Sequence, residues 1–250
     1  MRKRLLTLAL LAVSNCALSE DKLSIGTGTE FSSTRYGGVT PTDIFQVPVT
    51  ARYASGKLVV KLTVPYISVT GPGNVISGVG RINAAQPTAT TTESGLGDVV
   101  ASAGYNFYNS SSVILDLVGK IKFGTASYQK RLGTGENDYS AQVDGYHPIS
   151  NTTIFETLGY KIVGDPPGVE LNNVAYGAIG VSQRLSAATS VGTALDIAQS
   201  PSPFSPSSRQ LTAYLTQGIS NGMKVQVRVV KGFTDSSPNL GLGLIFIGAY

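Results

Sequence analysis

The chain has 250 residues, 42% of them apolar and only 14% charged, with a mean hydropathy of +0.11. Its 19 basic residues exceed its 15 acidic ones, but Arg2, Lys3 and Arg4 belong to an N-terminal leader; without those three the balance is 16 against 15, a net charge of +1. That near-neutrality excludes nucleic acid as an implied partner. The only cysteine, Cys16, lies in the same leader, so the remainder is expected to carry no disulfide, no thiolate metal site and no cysteine nucleophile.

Residues 1–19 read as a secretory signal peptide. Arg2-Lys3-Arg4 is a positive head, Leu5 to Val13 an apolar stretch, and Ala17-Leu18-Ser19 places small residues at −3 and −1 of a cut before Glu20. The stretch is too short to span a bilayer, which takes about 20 apolar residues. Lipidation at Cys16 is the weaker reading, because Asn15 suits it poorly. Residues 20–250 then form one domain. They contain no long apolar run, so the apolar surface of so hydrophobic a chain must lie on strands, facing either lipid or the core of a soluble sandwich.

The first strand, about 22–33, is faint. After it, Phe45, Val47, Val49, Ala51 and Tyr53 alternate with Ile44, Gln46, Pro48, Thr50 and Arg52. Ser55-Gly56 reads as a two-residue hairpin turn, followed by Leu58, Val60, Leu62, Val64 and Tyr66 alternating with Val59, Lys61, Thr63 and Pro65. Folding about Ser55-Gly56 pairs Phe45 with Tyr66 and Val49 with Leu62, and puts aromatics at both ends of one apolar face. A lipid-facing hairpin needs such girdles; a sandwich core does not. The next hairpin turns at Asn109-Ser110-Ser111. Its outward set is Val99, Ala101, Ala103, Tyr105 and Phe107, then Val113, Leu115, Leu117, Gly119, Ile121 and Phe123. This register sets Asp98 opposite Lys122 as an inward ion pair.

Further on, Tyr139, Ala141 and Val143 alternate with Ser140, Gln142, Asp144 and Tyr146. Val191, Thr193, Leu195 and Ile197 alternate with Gly192, Ala194 and Asp196. A hairpin about Asn221-Gly222 turns Leu211, Ala213, Leu215, Val225, Val227 and Val229 outward. For 153–162 and 173–184 the faces stay unassigned. The last strand puts Leu240, Leu242, Leu244, Phe246 and Tyr250 on one face, and an aromatic-ended strand of this kind resembles the closing strand of bacterial outer-membrane barrels, which their assembly machinery reads. Connections alternate short and long, as in such barrels, where short turns are periplasmic and long loops extracellular. The longest, 71–93, is a candidate lid, though a solvated outer loop is the plainer reading. The expectation is an all-β, up-and-down transmembrane barrel of about 12 antiparallel strands.

Several stretches carry a family resemblance: Lys61-Leu62-Thr63-Val64-Pro65-Tyr66 with Gly71-Pro72-Gly73-Asn74, Glu93-Ser94-Gly95-Leu96-Gly97-Asp98, Gly133 to Tyr139, Gly164 to Gly168 with Asn172-Asn173, and Val230-Lys231-Gly232 with Ser236-Ser237-Pro238. Together the sequence resembles the meta-pathway phenol-degradation family of outer-membrane proteins, often labelled transporters. The resemblance implies an outer-membrane barrel linked to uptake of aromatic or other hydrophobic compounds, and passes on no catalytic or binding residue.

No enzyme is expected. His147, the only histidine, falls at a periplasmic turn in Tyr146-His147-Pro148, away from the outer rim where a barrel hydrolase would need it. Glu136 and Asp138, placed in an outer loop, read as a solvated acidic pair rather than a cation site. The Gly-rich pieces lack the Lys-Ser/Thr of a phosphate loop. No cofactor or metal is implied. The informative residues are the inward charges Lys61, Asp98, Asp116, Lys120, Lys122, Asp144, Asp196 and Arg228, as lumen-lining candidates. Phe45, Tyr53, Tyr66, Tyr105, Phe107, Phe123, Tyr139, Phe246 and Tyr250 are the girdle candidates. The charges either line a wet passage and set its selectivity, or pair off and fill a closed barrel with a structural or ligand-binding role. The expected partners are outer-membrane lipid, the barrel-assembly machinery through the strand ending at Tyr250, and a small solute.

Overall fold

A computed structural model describes residues 19–250, with side chains from Lys22 onward. The leader, Cys16 included, lies outside the described residues apart from Ser19, which opens the first strand. The strands are β1 (Ser19–Thr34), β2 (Thr42–Gly56), β3 (Leu58–Pro72), β4 (Val75–Ile76), β5 (Gly80–Arg81), β6 (Thr90–Leu96), β7 (Val99–Asn109), β8 (Ile114–Phe123), β9 (Asp138–Ile149), β10 (Thr152–Ile162), β11 (Val174–Arg184), β12 (Thr189–Ala198), β13 (Ser208–Ser220), β14 (Met223–Gly232) and β15 (Leu240–Ala249).

Thirteen of these segments form one sheet, in which every neighbour is antiparallel. β1 pairs with both β2 and β15, and β2 also pairs with β3, so the sheet closes on itself. β6 and β7 both pair with β3 and count as one interrupted strand, which gives a closed barrel of twelve. Closure satisfies every strand edge, the condition for crossing lipid with strands. Among the described residues no helix is long and apolar enough to cross a membrane.

Period-two alternation decides which side chains face out. All nine aromatics named as girdle candidates are exposed on the outer surface. Phe45 and Tyr53 stand eight residues apart on β2, about 27 Å along a strand; at a tilt near 40° that is roughly 20 Å of membrane depth, close to an outer-membrane barrel's apolar band. The two unassigned segments resolve the same way. Ile154, Leu158, Tyr160 and Ile162 of β10, and Ile179 and Val181 of β11, point outward, with Phe155 and Val174 buried opposite.

Two registers differ from expectation, by even steps. In the β2–β3 hairpin Ser55 pairs with Leu58, Ala51 with Leu62 and Val47 with Tyr66, so the two-residue turn is Gly56-Lys57, not Ser55-Gly56. Gly56, at φ 53°, takes the left-handed position the turn requires. Across β7–β8 the partner of Lys122 is Val100, not Asp98. A shift of two leaves each side chain on its face, so the inside-outside division survives. The second shift begins at the turn, where Asn109 pairs with Ile114, and a bulge at Phe107 of β7 then sets Asn106 opposite Asp116. A separate bulge divides β6 from β7. Between the pairs Tyr66–Leu96 and Thr63–Val100, β3 spends two residues and its partner three, Gly97, Asp98 and Val99. It falls at Pro65, which has no N–H to give and lies opposite Pro48.

The 71–93 segment is no solvated loop. β3 runs on to Pro72, β6 begins at Thr90, and the hairpin β4–β5 between them buries Val75, Ile76 and Val79. Arg81 donates from Nη1 to Gly37 O (2.7 Å) and from its backbone N to Ser205 Oγ (3.0 Å), while its carbonyl accepts from Ser202 Oγ. Ser77 N reaches Arg131 O at 3.2 Å. The connections holding Gly37, Arg131 and Ser202–Ser205 leave the ring at β1–β2, β8–β9 and β12–β13. The last lies nearly opposite β3 in the strand order, so this hairpin reaches across the barrel mouth.

Candidate functional site: the barrel interior

The interior face carries the charges. On β8, Leu117 and Ile121 are exposed outward, and Asp116, Val118, Lys120 and Lys122 take the other parity. The same reasoning places Lys61 (β3), Asp144 (β9), Asp196 (β12) and Arg228 (β14) inside, beside outward Leu62, Val143, Leu195 and Val227. Asp98 sits in the β6–β7 bulge.

They divide into local networks. At the end of the barrel with the long connections Lys122 Nζ meets Asp98 Oδ2 at 3.1 Å, Asp138 Oδ1 at 3.4 Å and Thr134 Oγ1 at 3.0 Å. The Asp98–Lys122 pair therefore forms although the two are diagonal rather than opposed, a gap the long lysine stem closes. Asp98 Oδ1 also accepts from Ala126 N (3.0 Å), tying the bulge to the 124–137 loop. Asp138 is not a solvated loop carboxylate: it opens β9, is buried, and lies 4.0 Å from Lys161 Nζ.

Lower down, Gln142 organises the wall. Its Oε1 accepts from Lys120 Nζ and from Tyr176 Oη (3.0 Å), and its Nε2 donates to Asp144 Oδ1 (2.6 Å). Thr157 Oγ1 donates to the same Asp144 oxygen at 2.7 Å, and Lys120 Nζ stands 6.0 Å above the Tyr176 ring. Asp116, fully buried, accepts from Asn106 Nδ2 at 2.7 Å. Across the barrel Arg228 Nη2 meets Glu30 Oε1 at 2.5 Å, Gln46 Nε2 donates to Glu30 Oε2, and Thr212 Oγ1 donates to Asp196 Oδ2 at 3.4 Å.

Sequence reasoning missed Glu30, Arg52, Asp138 and Lys161 as interior charges. Arg52 was legible from its alternation with Tyr53. Glu30 lay in a faint strand, and Lys161 in one whose faces were open. His147 Nε2 lies 2.7 Å from Glu156 Oε1, both on the outward parity of β9 and β10; His147 is two and Glu156 four strand positions from the Ile149–Thr152 pair that closes the Ser150-Asn151 turn. Among the described residues no group of three or more His, Cys, Asp and Glu side chains could hold a metal.

A closed, antiparallel, twelve-stranded barrel with an apolar outer belt, a polar inner wall and loops folded across one mouth has the fold of the bacterial outer-membrane barrels. No family model matches the chain, and no curated protein matches it by sequence. Solved structures do. The COG4313 outer membrane channel from Pseudomonas putida F1 superposes with a TM-score of 0.70 at 13% identity, covering 92% of this chain and 95% of that one. The KdgM porin gives 0.57 at 10% identity over 91% and 99%. The translocator domain of the autotransporter NalP from Neisseria meningitidis gives 0.53 at 10% over 94% and 90%. At such identities the likeness is one of fold.

Proposed function

We propose that the protein is an outer-membrane channel through which small solutes pass passively along the barrel lumen. The observation that carries this reading is the inner wall. Lys61, Lys120 and Lys161 point inward yet keep part of their surface exposed, with side-chain exposure of 29% at Lys161. An interior filled for structure alone would bury them in full, at a cost that a filled barrel avoids by using apolar residues. The channel and porin among the fold neighbours support the same reading, as does the apolar outer belt for the location. Membership of the phenol-degradation family, and with it uptake of aromatic or hydrophobic compounds, rests on the sequence motifs alone.

One observation favours the second reading, a closed barrel with a binding or structural role: the β4–β5 hairpin spans the mouth. Planar-bilayer recording on the full-length chain, expressed in a Gram-negative host and purified from its outer membranes, separates the two. Discrete conductance steps are expected. Silent bilayers holding protein that still shows the heat-dependent gel shift of a folded barrel would establish the closed form.

A further inference from the structure

The strand registers line up the interior cations in one row. Following direct cross-strand partners from β1, Ser24 faces Arg52 on β2, and Arg52 faces Lys61 on β3. Lys61 faces Ser102 on β7, Ser102 faces Lys120 on β8, Lys120 faces Ser140 on β9, and Ser140 faces Lys161 on β10. All seven side chains take the inward parity and all are partly exposed. Four cations alternate with three hydroxyls, with Arg52 and Lys61 directly adjacent. A protein seeking stability alone does not set like charges opposite each other across a strand pair, since that arrangement is destabilising.

The row also climbs. Ser24 lies near the start of β1, and Arg52 lies four residues before the end of β2 at the short Gly56-Lys57 turn, on the periplasmic side. Lys161 is the next-to-last residue of β10, beside the long 163–173 connection on the extracellular side. Six inter-strand steps cover about 29 Å of wall. At a strand tilt near 40° the row rises by about 18 Å, most of the roughly 25 Å band such a barrel spans.

We propose that this row is an anion ramp: a stair of Lys, Arg and Ser side chains that draws a small organic anion, a carboxylate in the first instance, from the extracellular mouth toward the periplasm. The inference rests on the channel reading. Successive cations stand one or two strands apart, about 5 to 10 Å, so a carboxylate leaving one already feels the next within a screening length of about 8–10 Å. Serine hydroxyls supply donors in the gaps, as selectivity rings do in pores. The nearby carboxylates, Asp144 by Lys61 and Lys120 and Asp138 by Lys161, stand behind the ramp and offset part of its charge without lining the passage. Asp116 and Asp144 are 0% and 1% exposed, and Asn106, Gln142 and Thr157 donate to them. Asp138 is buried beside Lys122 as well as Lys161. The acids are covered, and the cations of the row meet the passage.

The test is the reversal potential of the purified full-length protein in a potassium chloride gradient, then with acetate replacing chloride. Anion preference is expected in both salts. Each of Lys61→Gln, Lys120→Gln and Lys161→Gln should lower the anion-to-cation permeability ratio roughly twofold, the size of one unit charge acting across about 10 Å of water. The triple variant should lower it further, and Lys57→Gln, in the exposed periplasmic turn, should leave it unchanged. Conducting channels without anion preference, or with a preference these variants do not move, overturn the ramp and leave the channel standing. Silence from folded wild-type protein overturns both.

Discussion

The two halves of the barrel wall solve the same problem with different side chains. From β2 to β10 the inner face is charged, and the ladder is interrupted by Pro48, Pro65 and the Gly97–Val99 bulge. From β10 through β15 the ladder is nearly unbroken and the inner face pairs glycine with something large. Gly159 faces Tyr176, Gly180 faces Phe155, Gly192 faces Tyr214 and Gly243 faces Arg228. In each pair a Cβ on the glycine would collide with the partner's side chain, at 2.3 Å for Tyr176, Phe155 and Tyr214 and 2.7 Å for Arg228. The large group lies flat over the glycine instead of projecting inward, the device by which aromatics shield strand glycines. One wall therefore presents mostly charged groups to the interior, while the other, which also carries Asp196 and Arg228, folds much of its bulk back onto itself.

The sharpest way to break that contrast is to put a β-branched residue under a ring. Gly192→Val meets Tyr214 Oη at 2.3 Å and, more seriously, the backbone oxygen of Val181 at 2.6 Å. Although valine suits strands, overpacking of this kind costs about 3 kcal/mol, read as a fall in the urea midpoint of the refolded barrel. Adding Tyr214→Ala should recover only part of the loss, because the carbonyl stays where it is. Full recovery would mean that the ring alone sets the need for glycine.

On the charged wall the corresponding lesion is Asp98→Ala. It removes the partner of Lys122 Nζ and the acceptor of Ala126 N, while Lys122 keeps Asp138 at 3.4 Å. Losing one charged hydrogen-bond acceptor with the other ion pair intact should cost about 2 kcal/mol, measured by the same unfolding titration. It should also loosen the 124–137 loop, seen as faster amide exchange there. A cost near zero would show that Asp138 alone holds the lysine.

The contrast between the walls explains what could be read from the chain beforehand. Strand number, faces and the alternation of short and long connections follow from period-two patterning, and that pattern is written residue by residue, as in Phe45 to Tyr53 and Leu240 to Phe246. Register is less legible. Ser55-Gly56 and Gly56-Lys57 are both acceptable turns, and only the closed ring selects one. The Asp98 bulge depends on the missing N–H of Pro65, whose consequence appears only when β3 has a partner. Where glycines dominate, as at Gly192, the sequence shows a gap in the pattern but not which side chain fills it, because Tyr214 is contributed by another strand. The row from Arg52 to Lys161 joins residues more than a hundred positions apart, and it becomes visible only once every register between them is known.

The smallest expected effect tests whether glycine has the same meaning on both walls. Gly119 lies on β8 opposite Ala103, on the outer face between exposed Leu117 and Ile121, and a Cβ there meets nothing within 4 Å. Its φ lies outside the left-handed range, so alanine fits the backbone without strain. Gly119→Ala should therefore be neutral or stabilising by about 0.5 kcal/mol, through the lost freedom of the unfolded chain, in the same titration that exposes Gly192→Val. The two substitutions add methyl groups on opposite faces of comparable strands. A destabilising Gly119→Ala would mean that the outer surface, too, requires close approach at this point, by lipid or by another protein chain. That would move the meaning of glycine here from empty space to contact.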